Sequence, residues 1–247
     1  MMMPRISGAL QLVSRAWRMT RDVLFPRGCA GCDAPDAVLC EQCAGRFDQC
    51  RHRALESAGN GADSETPVSV WSAAAYQSVA RHAILAWKDH DDVELDAVFG
   101  SIMHTLGRRS PLVPLCAGRT VMVVPTPSSP SSMRRRGRWH TLPLAEAVAV
   151  GLRERGIDAV AAPMLVSTAS GGRSVQQISS AQRAQRIGGH IAVARGMICQ
   201  GNAVILVDDI ITTGSTLRQC VRACRQSGAQ VLGALTLADA VVEDSVL

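Results

Sequence analysis

Aromatic side chains are scarce: four Trp, three Phe and one Tyr make up 3% of 247 residues. A groove that holds single-stranded nucleic acid by stacking bases on a row of rings therefore has little support in the composition. Lysine is rarer still, because Lys88 is the one lysine in the chain and the other strong bases are arginines. Long apolar runs are missing too. No stretch approaches the roughly 18 consecutive apolar residues of a membrane span. The run Ile6 to Val13 is short and is followed by Arg15, Arg18 and Arg21, so a cytoplasmic location is the expectation. Internal repeats are absent. With 47% hydrophobic and 19% charged residues the chain is neither disordered nor low-complexity in type. Its length suits one large domain, with or without a small module, better than two equal ones. A formal charge of +5 would suit a polyanionic partner, nucleic acid or a phosphorylated metabolite, without requiring one.

Nine cysteines are an odd number, and four of them, Cys29, Cys32, Cys40 and Cys43, have the spacing C-x2-C-x7-C-x2-C. In a reducing compartment such pairs argue for metal rather than disulfides. Two tight turns can bring four thiolates to one tetrahedral Zn²⁺, and four cysteines leave no open coordination position, so the site is structural. Cys50 is either a spare ligand or a free thiol. Upstream, residues 9–25 alternate apolar and basic positions, the pattern of a short amphipathic helix. The stretch ESAGNGADSET at 56–66 is small and polar. These features divide the chain into a helix and zinc module at 1–55, a linker at 56–67 and a larger domain at 68–247.

The larger domain alternates strand and helix. Residues 68–76 read as a strand or hairpin edge, 77–88 and 93–107 as helices, 121–124 as a buried strand, 141–155 as an amphipathic helix closed by Gly156, and 162–166 as a short strand. TASGGRSVQQ at 168–177 has loop composition, and a short helix is expected to start near Ser179 or Ser180. Then come AVILV at 203–207, the turn DDIITTGST, an apolar stripe of Leu217, Cys220, Val221 and Cys224, and VLGALTLA at 231–238. Cys220 and Cys224 read as small core residues. Continuous apolar strands on either side of a helix indicate a parallel sheet covered on both faces.

That last turn carries chemistry. Thr212, Thr213, Gly214, Ser215 and Thr216 stand at a helix N-terminus, where unpaired N–H groups and the helix dipole favour phosphate. Hydroxyls add donors, and glycine permits a close backbone approach. Asp208 and Asp209 precede them at the carboxyl end of the strand, where ligands bind in open α/β sheets. Two carboxylates beside a phosphate need a divalent cation or sugar hydroxyls to reconcile the charges, which points to Mg²⁺.

The string VILVDDIITTGST resembles the phosphoribosyl pyrophosphate signature of type I phosphoribosyltransferases. The resemblance implies that Asp208 and Asp209 meet the ribose hydroxyls and the metal, while Thr212 to Thr216 cradle the sugar's terminal phosphate. Together with the paired cysteines the chain resembles the ComF family of competence-associated, phosphoribosyltransferase-like proteins. The likeness runs through LFPRGC at 24–29, the Tyr76 to Lys88 segment, VVPTP at 123–127, the Gln177 to Arg186 segment and the signature at 204–216. It implies a type I phosphoribosyltransferase-like α/β sheet flanked by helices, with phosphoribosyl pyrophosphate as ligand. Single-stranded DNA or competence-machinery proteins are the further partners it implies. The run MRRRGRW at 133–139 offers Arg134, Arg135, Arg136 and Arg138 to a pyrophosphate, with Arg183, Arg186 and Lys88 as further candidates. Where many members continue with Asn-Gln, this chain has Trp139, His140 and Thr141.

Two readings stay open. One is a Mg²⁺-dependent phosphoribosyltransferase, with His140 as the nearest candidate for a base. The other is a non-enzymatic module that binds phosphoribosyl pyrophosphate or a nucleotide, or serves DNA uptake. The acidic pair favours the first and the departure at His140 and Thr141 the second.

Overall fold

The computed structural model describes residues 27–56, 66–168, 191–197 and 200–240. Within them a six-stranded sheet has the order β1-β2-β8-β7-β3-β4. Its strands are β1 (Arg51–Leu55), β2 (Val68–Ala75), β3 (Thr120–Pro125), β4 (Asp158–Ala161), β7 (Ala203–Ile211) and β8 (Gln230–Asp239). All neighbours run parallel except β1, which pairs antiparallel with β2. A separate antiparallel pair, β5 (Leu165–Ser167) and β6 (Ile191–Val193), flanks the carboxyl edge of the sheet on the chain's way to β7. The helices are α1 (Glu41–Ala44), α2 (Ser78–Asp89), α3 (Leu95–Arg109), α4 (Pro130–Arg136), α5 (Thr141–Arg153) and α6 (Ser215–Gln226).

The position of β7 follows from its composition. A run of aliphatics has no polar face to offer water, so it belongs between neighbours with both faces covered. Successive side chains of a strand point to opposite sides. Ile205 and Val207 accordingly join one core with Phe99 and Met103 of α3 and with Leu144 and Val148 of α5. Val204 and Leu206 join the other with Leu217, Cys220, Val221 and Cys224 of α6. The cysteine stripe of α6 is thus core, as its spacing indicates. With one core on each face, the polar ends of β3 and β7 emerge together at the carboxyl edge.

Several expectations change in detail. The strand or hairpin edge expected at 68–76 is β2, which pairs antiparallel with β1 on one side and parallel with β8 on the other. Of the short strand expected at 162–166 only the end falls in a strand, β5 (Leu165–Ser167), while β4 (Asp158–Ala161) precedes it and Ala162, Pro163 and Met164 lie between them. Arg51–Leu55, at the end of the segment expected as the N-terminal module, is hydrogen-bonded into the main sheet along its whole length. The cysteine segment before it packs on the same body. Phe47 enters the larger core with its ring centroid 5.5 Å from that of Phe99, and Gln49 N–H donates to the Ala73 carbonyl at 3.0 Å. The helices expected in 9–25 and near Ser179 lie outside the described residues, as does most of the 56–67 linker. Among the described residues no helix is long and apolar enough to cross a membrane.

Candidate functional site

An open cleft of about 410 Å³ lies where β3 and β7 end, lined among others by Lys88, Thr126, Ser128, Arg136, His140, Asp208, Asp209, Thr212 and Thr216. Asp208 and Asp209 are still within β7, so the sheet fixes their backbone, and both are buried. Thr126, just past β3, clamps the first of them: its hydroxyl donates to Asp208 Oδ1 at 2.7 Å. The Asp209 N–H donates to the same oxygen at 2.9 Å. Oδ2 of Asp208 receives no hydrogen bond from a described residue.

Asp209 is held differently. Its Oδ1 accepts from the Ile210 N–H at 2.7 Å. Its Oδ2 takes Lys88 Nζ at 2.6 Å and His140 Nε2 at 2.7 Å. Arg136 Nη1 lies 3.0 Å from His140 Nδ1, and a guanidinium can only donate. Nδ1 is therefore the acceptor, and the ring proton sits on Nε2, directed at Asp209. Burial, followed by the adjacent Asp209 charge, pushes the Asp208 carboxyl up to about 7. Burial acts upward on Asp209 as well, but the His140 hydrogen bond and the Lys88 charge outweigh it and hold that carboxyl well below the usual range. The pair is asymmetric: one acid is already neutralised by the protein, and the other is reluctant to ionise without a cation.

The departure at 139–141 has a structural role. Trp139 Nε1 and Thr141 Oγ1 each donate to the Thr126 carbonyl at 2.8 Å, which anchors the loop after β3. His140 between them faces Asp209. Trp139 and Thr141 were not expected to brace this loop, and their bonds to Thr126 have no local sequence signature.

The turn after β7 has the expected form. Gly214 sits at φ +76°, a left-handed backbone that glycine adopts without penalty, and it begins α6. A Cβ there would come within 2.4 Å of Leu55 Cδ1. Thr212, Thr213, Ser215 and Thr216 are exposed around it, and Thr212 and Thr216 face the cleft. Arg53 of β1 braces the turn from behind, donating to the Thr212 carbonyl at 2.8 Å and to Asp239 Oδ1 at 3.0 Å.

The arginine run divides. Only Arg136 lines the cleft; its side chain is 7% exposed, and its Nε is buried without a hydrogen-bond partner. Ser128 Oγ, also on the cleft wall, is a second buried polar atom without a partner. Arg134 points to solvent, and Arg135 pairs with Asp89 at 3.2 Å. Arg138 is turned away after Gly137, which adopts φ +67°. It bonds Asp91 at 3.0 Å, bonds Asp96, and lies over the Trp87 ring at 5.7 Å from the centroid. Lys88 is likewise on Asp209 and not set apart for a pyrophosphate. Arg183 and Arg186 fall outside the described residues.

Cys29, Cys32, Cys40 and Cys43 bring their sulfurs within 4.8 Å of one another. Zn–S bonds of ~2.3 Å in a tetrahedron require S···S separations of about 3.8 Å. Cys32 and Cys40 already stand at 3.7 Å. Cys29 Sγ accepts from the N–H groups of Cys40 at 3.2 Å and Gly31 at 3.4 Å. Burial pushes its thiol up, but these N–H groups outweigh it and bring the group down to about 6, which favours the thiolate a metal needs. A Cβ on Gly31 would meet Cys43 Sγ at 2.8 Å, so the turn must be glycine. The donor set fits a structural zinc ion. Cys50 is exposed and is not part of the cluster.

The comparison with known proteins agrees with this geometry. Residues 141–243 match the family described as phosphoribosyl transferase domain. Orotate phosphoribosyltransferase of Parvibaculum lavamentivorans is 31% identical over 101 residues, covering 39% of this chain and 52% of that protein. Orotate phosphoribosyltransferase of Streptomyces avermitilis is 35% identical over 91 residues, 37% of this chain and 50% of that one. Adenine phosphoribosyltransferase of Pseudomonas syringae pv. tomato is 31% identical over 77 residues, 31% and 42% respectively. The chain thus spans about half the length of the curated relatives it matches. The fold is a mixed α/β one with a mostly parallel sheet, part of which lies in the segment matching the phosphoribosyl transferase domain, and a four-cysteine cluster precedes the sheet.

Proposed function

We propose that the chain is a Mg²⁺-dependent phosphoribosyltransferase acting on phosphoribosyl pyrophosphate, with a ComF-like organisation of a four-cysteine zinc module joined to the transferase domain. The observation that carries this reading is the Asp208–Asp209 pair at the end of β7, followed at once by the left-handed Gly214 turn into α6, inside one cleft with Arg136. The turn offers N–H groups and hydroxyls to the 5-phosphate. Asp208 Oδ2, which no described residue donates to, accepts from a ribose hydroxyl or faces the cation. Arg136 Nε and Ser128 Oγ, buried without partners, are aimed at the departing pyrophosphate. Mg²⁺ would neutralise charge on the pyrophosphate oxygens as the bond to the anomeric carbon breaks. The protein's own part is to position the sugar and to present fixed dipoles and charges to a transition state in which that carbon turns cationic. The zinc ion, in this reading, holds the 27–50 segment against the sheet and takes no part in the chemistry.

Calorimetric titration of phosphoribosyl pyrophosphate with and without Mg²⁺, followed by a pyrophosphate-release assay against pooled nucleobases and amines, tests the reading. Binding with release supports transfer and identifies the acceptor by deconvolution. Binding without release in any pool supports instead a sensor, the reading favoured by Lys88 already standing on Asp209. A part in DNA uptake belongs to that second reading and requires measurable affinity for single-stranded DNA.

A further inference from the structure

The cysteine segment grips α2 at its first turn and again just past its last. Gly31, inside the turn between Cys29 and Cys32, lies so close to the helix that a Cβ on it would meet Val79 Cβ at 3.3 Å. Ala30, Val38 and Leu39 pack against the core that buries Ala80, Ala83, Ile84 and Trp87 of the same helix. Past the last turn, Arg27 pairs with Asp92 and Glu94. The clasped segment 89–96 also takes Arg135 on Asp89 at 3.2 Å, and Arg138 on Asp91 at 3.0 Å and on Asp96. Lys88, last but one in α2, stands between the two grips and reaches Asp209 Oδ2 at 2.6 Å. A helix and the salt bridges at its end move together, so a shift at Gly31 or Arg27 is carried to Lys88. Within the cysteine segment the backbone alone is a weak anchor. Asp33 and Asp36 hold φ of +62° and +60°, a left-handed backbone that such residues keep only when their surroundings impose it. The Asp36 N–H donates to the Arg27 carbonyl at 2.8 Å and the Cys29 N–H to the Ala34 carbonyl at 2.7 Å, so Arg27 hangs on the same strained turns as the thiols.

We propose that metal occupancy of the four-cysteine cluster governs the cleft: with the metal bound, the cysteine segment holds α2 and segment 89–96 in place and keeps Lys88 on Asp209, and loss of the metal releases Lys88. Arg27 is the positioning residue that transmits the hold. It touches neither a thiol of the cluster nor the cleft, and joins the two through Asp92 and Glu94. The same release loosens Arg135 and Arg138, whose partners lie in the segment that Arg27 clasps. This goes beyond the function proposed above and rests only on the cluster's fitness for a metal, so it stands whichever ligand the cleft takes.

The test reads Lys88 directly. It is the only lysine of the chain, so its rate of acetylation by an N-hydroxysuccinimide ester, followed by mass spectrometry of the peptide that carries it, reports whether its amine is held on Asp209. The full chain is compared loaded with zinc and stripped of it by a chelator under a phosphine reductant, at one pH and without any sugar phosphate, with circular dichroism to show that the sheet persists. The stripped chain is expected to acetylate at least about fivefold faster at Lys88. Arg27→Ala with its zinc retained should do the same, Arg27→Lys should recover part of the protection, and Asp209→Asn should acetylate fast with or without zinc. Equal rates in the loaded and stripped chains, including a chain that takes up no zinc, would overturn the proposal. Where the stripped chain unfolds, the zinc-loaded Arg27→Ala chain decides, or the double variant Asp92→Asn, Glu94→Gln if that one does not fold, and a rate equal to wild type overturns the proposal. Protection that survives Asp209→Asn would overturn it too. None of these outcomes depends on phosphoribosyl pyrophosphate binding, whose failure would instead show in the calorimetric experiment above.

Discussion

Asp208 is a buried carboxyl held at the expense of the fold. Its carboxyl is ordinary in the unfolded chain and raised to about 7 in the folded one, so folding takes up a proton between pH 4 and 7. The folded state accordingly loses stability as pH rises through that window, and the full cost is present above it. Asp208→Asn keeps an acceptor for Thr126 and for the Asp209 N–H and has no proton to lose. We expect the metal-free variant to melt about 2–4 °C higher than wild type at pH 8, a gain on the order of 1 kcal/mol, and to lose that advantage by pH 5. Thermal denaturation at the two pH values checks this; a variant less stable at pH 8 would show that the carboxylate is not under strain. Gly214 is the opposite case, a residue kept for its backbone. Gly214→Ala must hold a left-handed φ and push Leu55 aside, so a cost of about 1–3 kcal/mol in denaturant unfolding is expected, together with weakened phosphate binding.

The elements differ in how far the sequence reveals them. The β7–α6–β8 unit is legible because its signals are local: an unbroken aliphatic run, an acidic turn with glycine, and an apolar stripe at helical spacing. The strand β1 is not. Its sequence RHRAL has the charge of a loop, and its alternation of half-exposed and exposed residues shows only once β2 lies beside it. The same distance hides its function, since Arg53 and Thr212 are separated by 159 positions and His140 and Asp209 by 69. The arginine run misleads for a related reason. Composition puts four guanidinium groups after β3, but helical geometry and the acidic segment 89–96 claim three of them. Because β1 braces the turn proposed to hold the phosphate, Arg53→Ala should weaken binding of phosphoribosyl pyrophosphate several-fold with little loss of melting temperature, and Arg53→Lys should recover part of it. Unchanged affinity in Arg53→Ala would make the contact to Thr212 incidental.

Across the whole molecule, the site is assembled from more than the segment that matches the transferase family. Asp208, Asp209 and the Gly214 turn lie within 141–243, whereas Lys88, Thr126, Ser128, Arg136 and His140 come from before it. In the proposed function the matched segment would supply the sugar and phosphate side, and the remainder the charge balance and the opposite wall. The cysteine segment belongs to the same body through Phe47 and β1, so the metal is expected to stabilise the whole chain. Purified protein should contain about one zinc per chain, and its removal by a chelator should lower the melting temperature of the sheet domain, not only of the module. A metal analysis without zinc, or an unchanged melting curve after chelation, would separate the cluster from the fold. The central claim is that the acidic pair binds the sugar phosphate. It is tested most directly by calorimetric titration of phosphoribosyl pyrophosphate with Mg²⁺ into wild type and into the double variant Asp208→Asn, Asp209→Asn. Saturable binding by the wild type that is lost in a folded double variant is the expected result; equal affinity in the two, or none in the wild type, would contradict it.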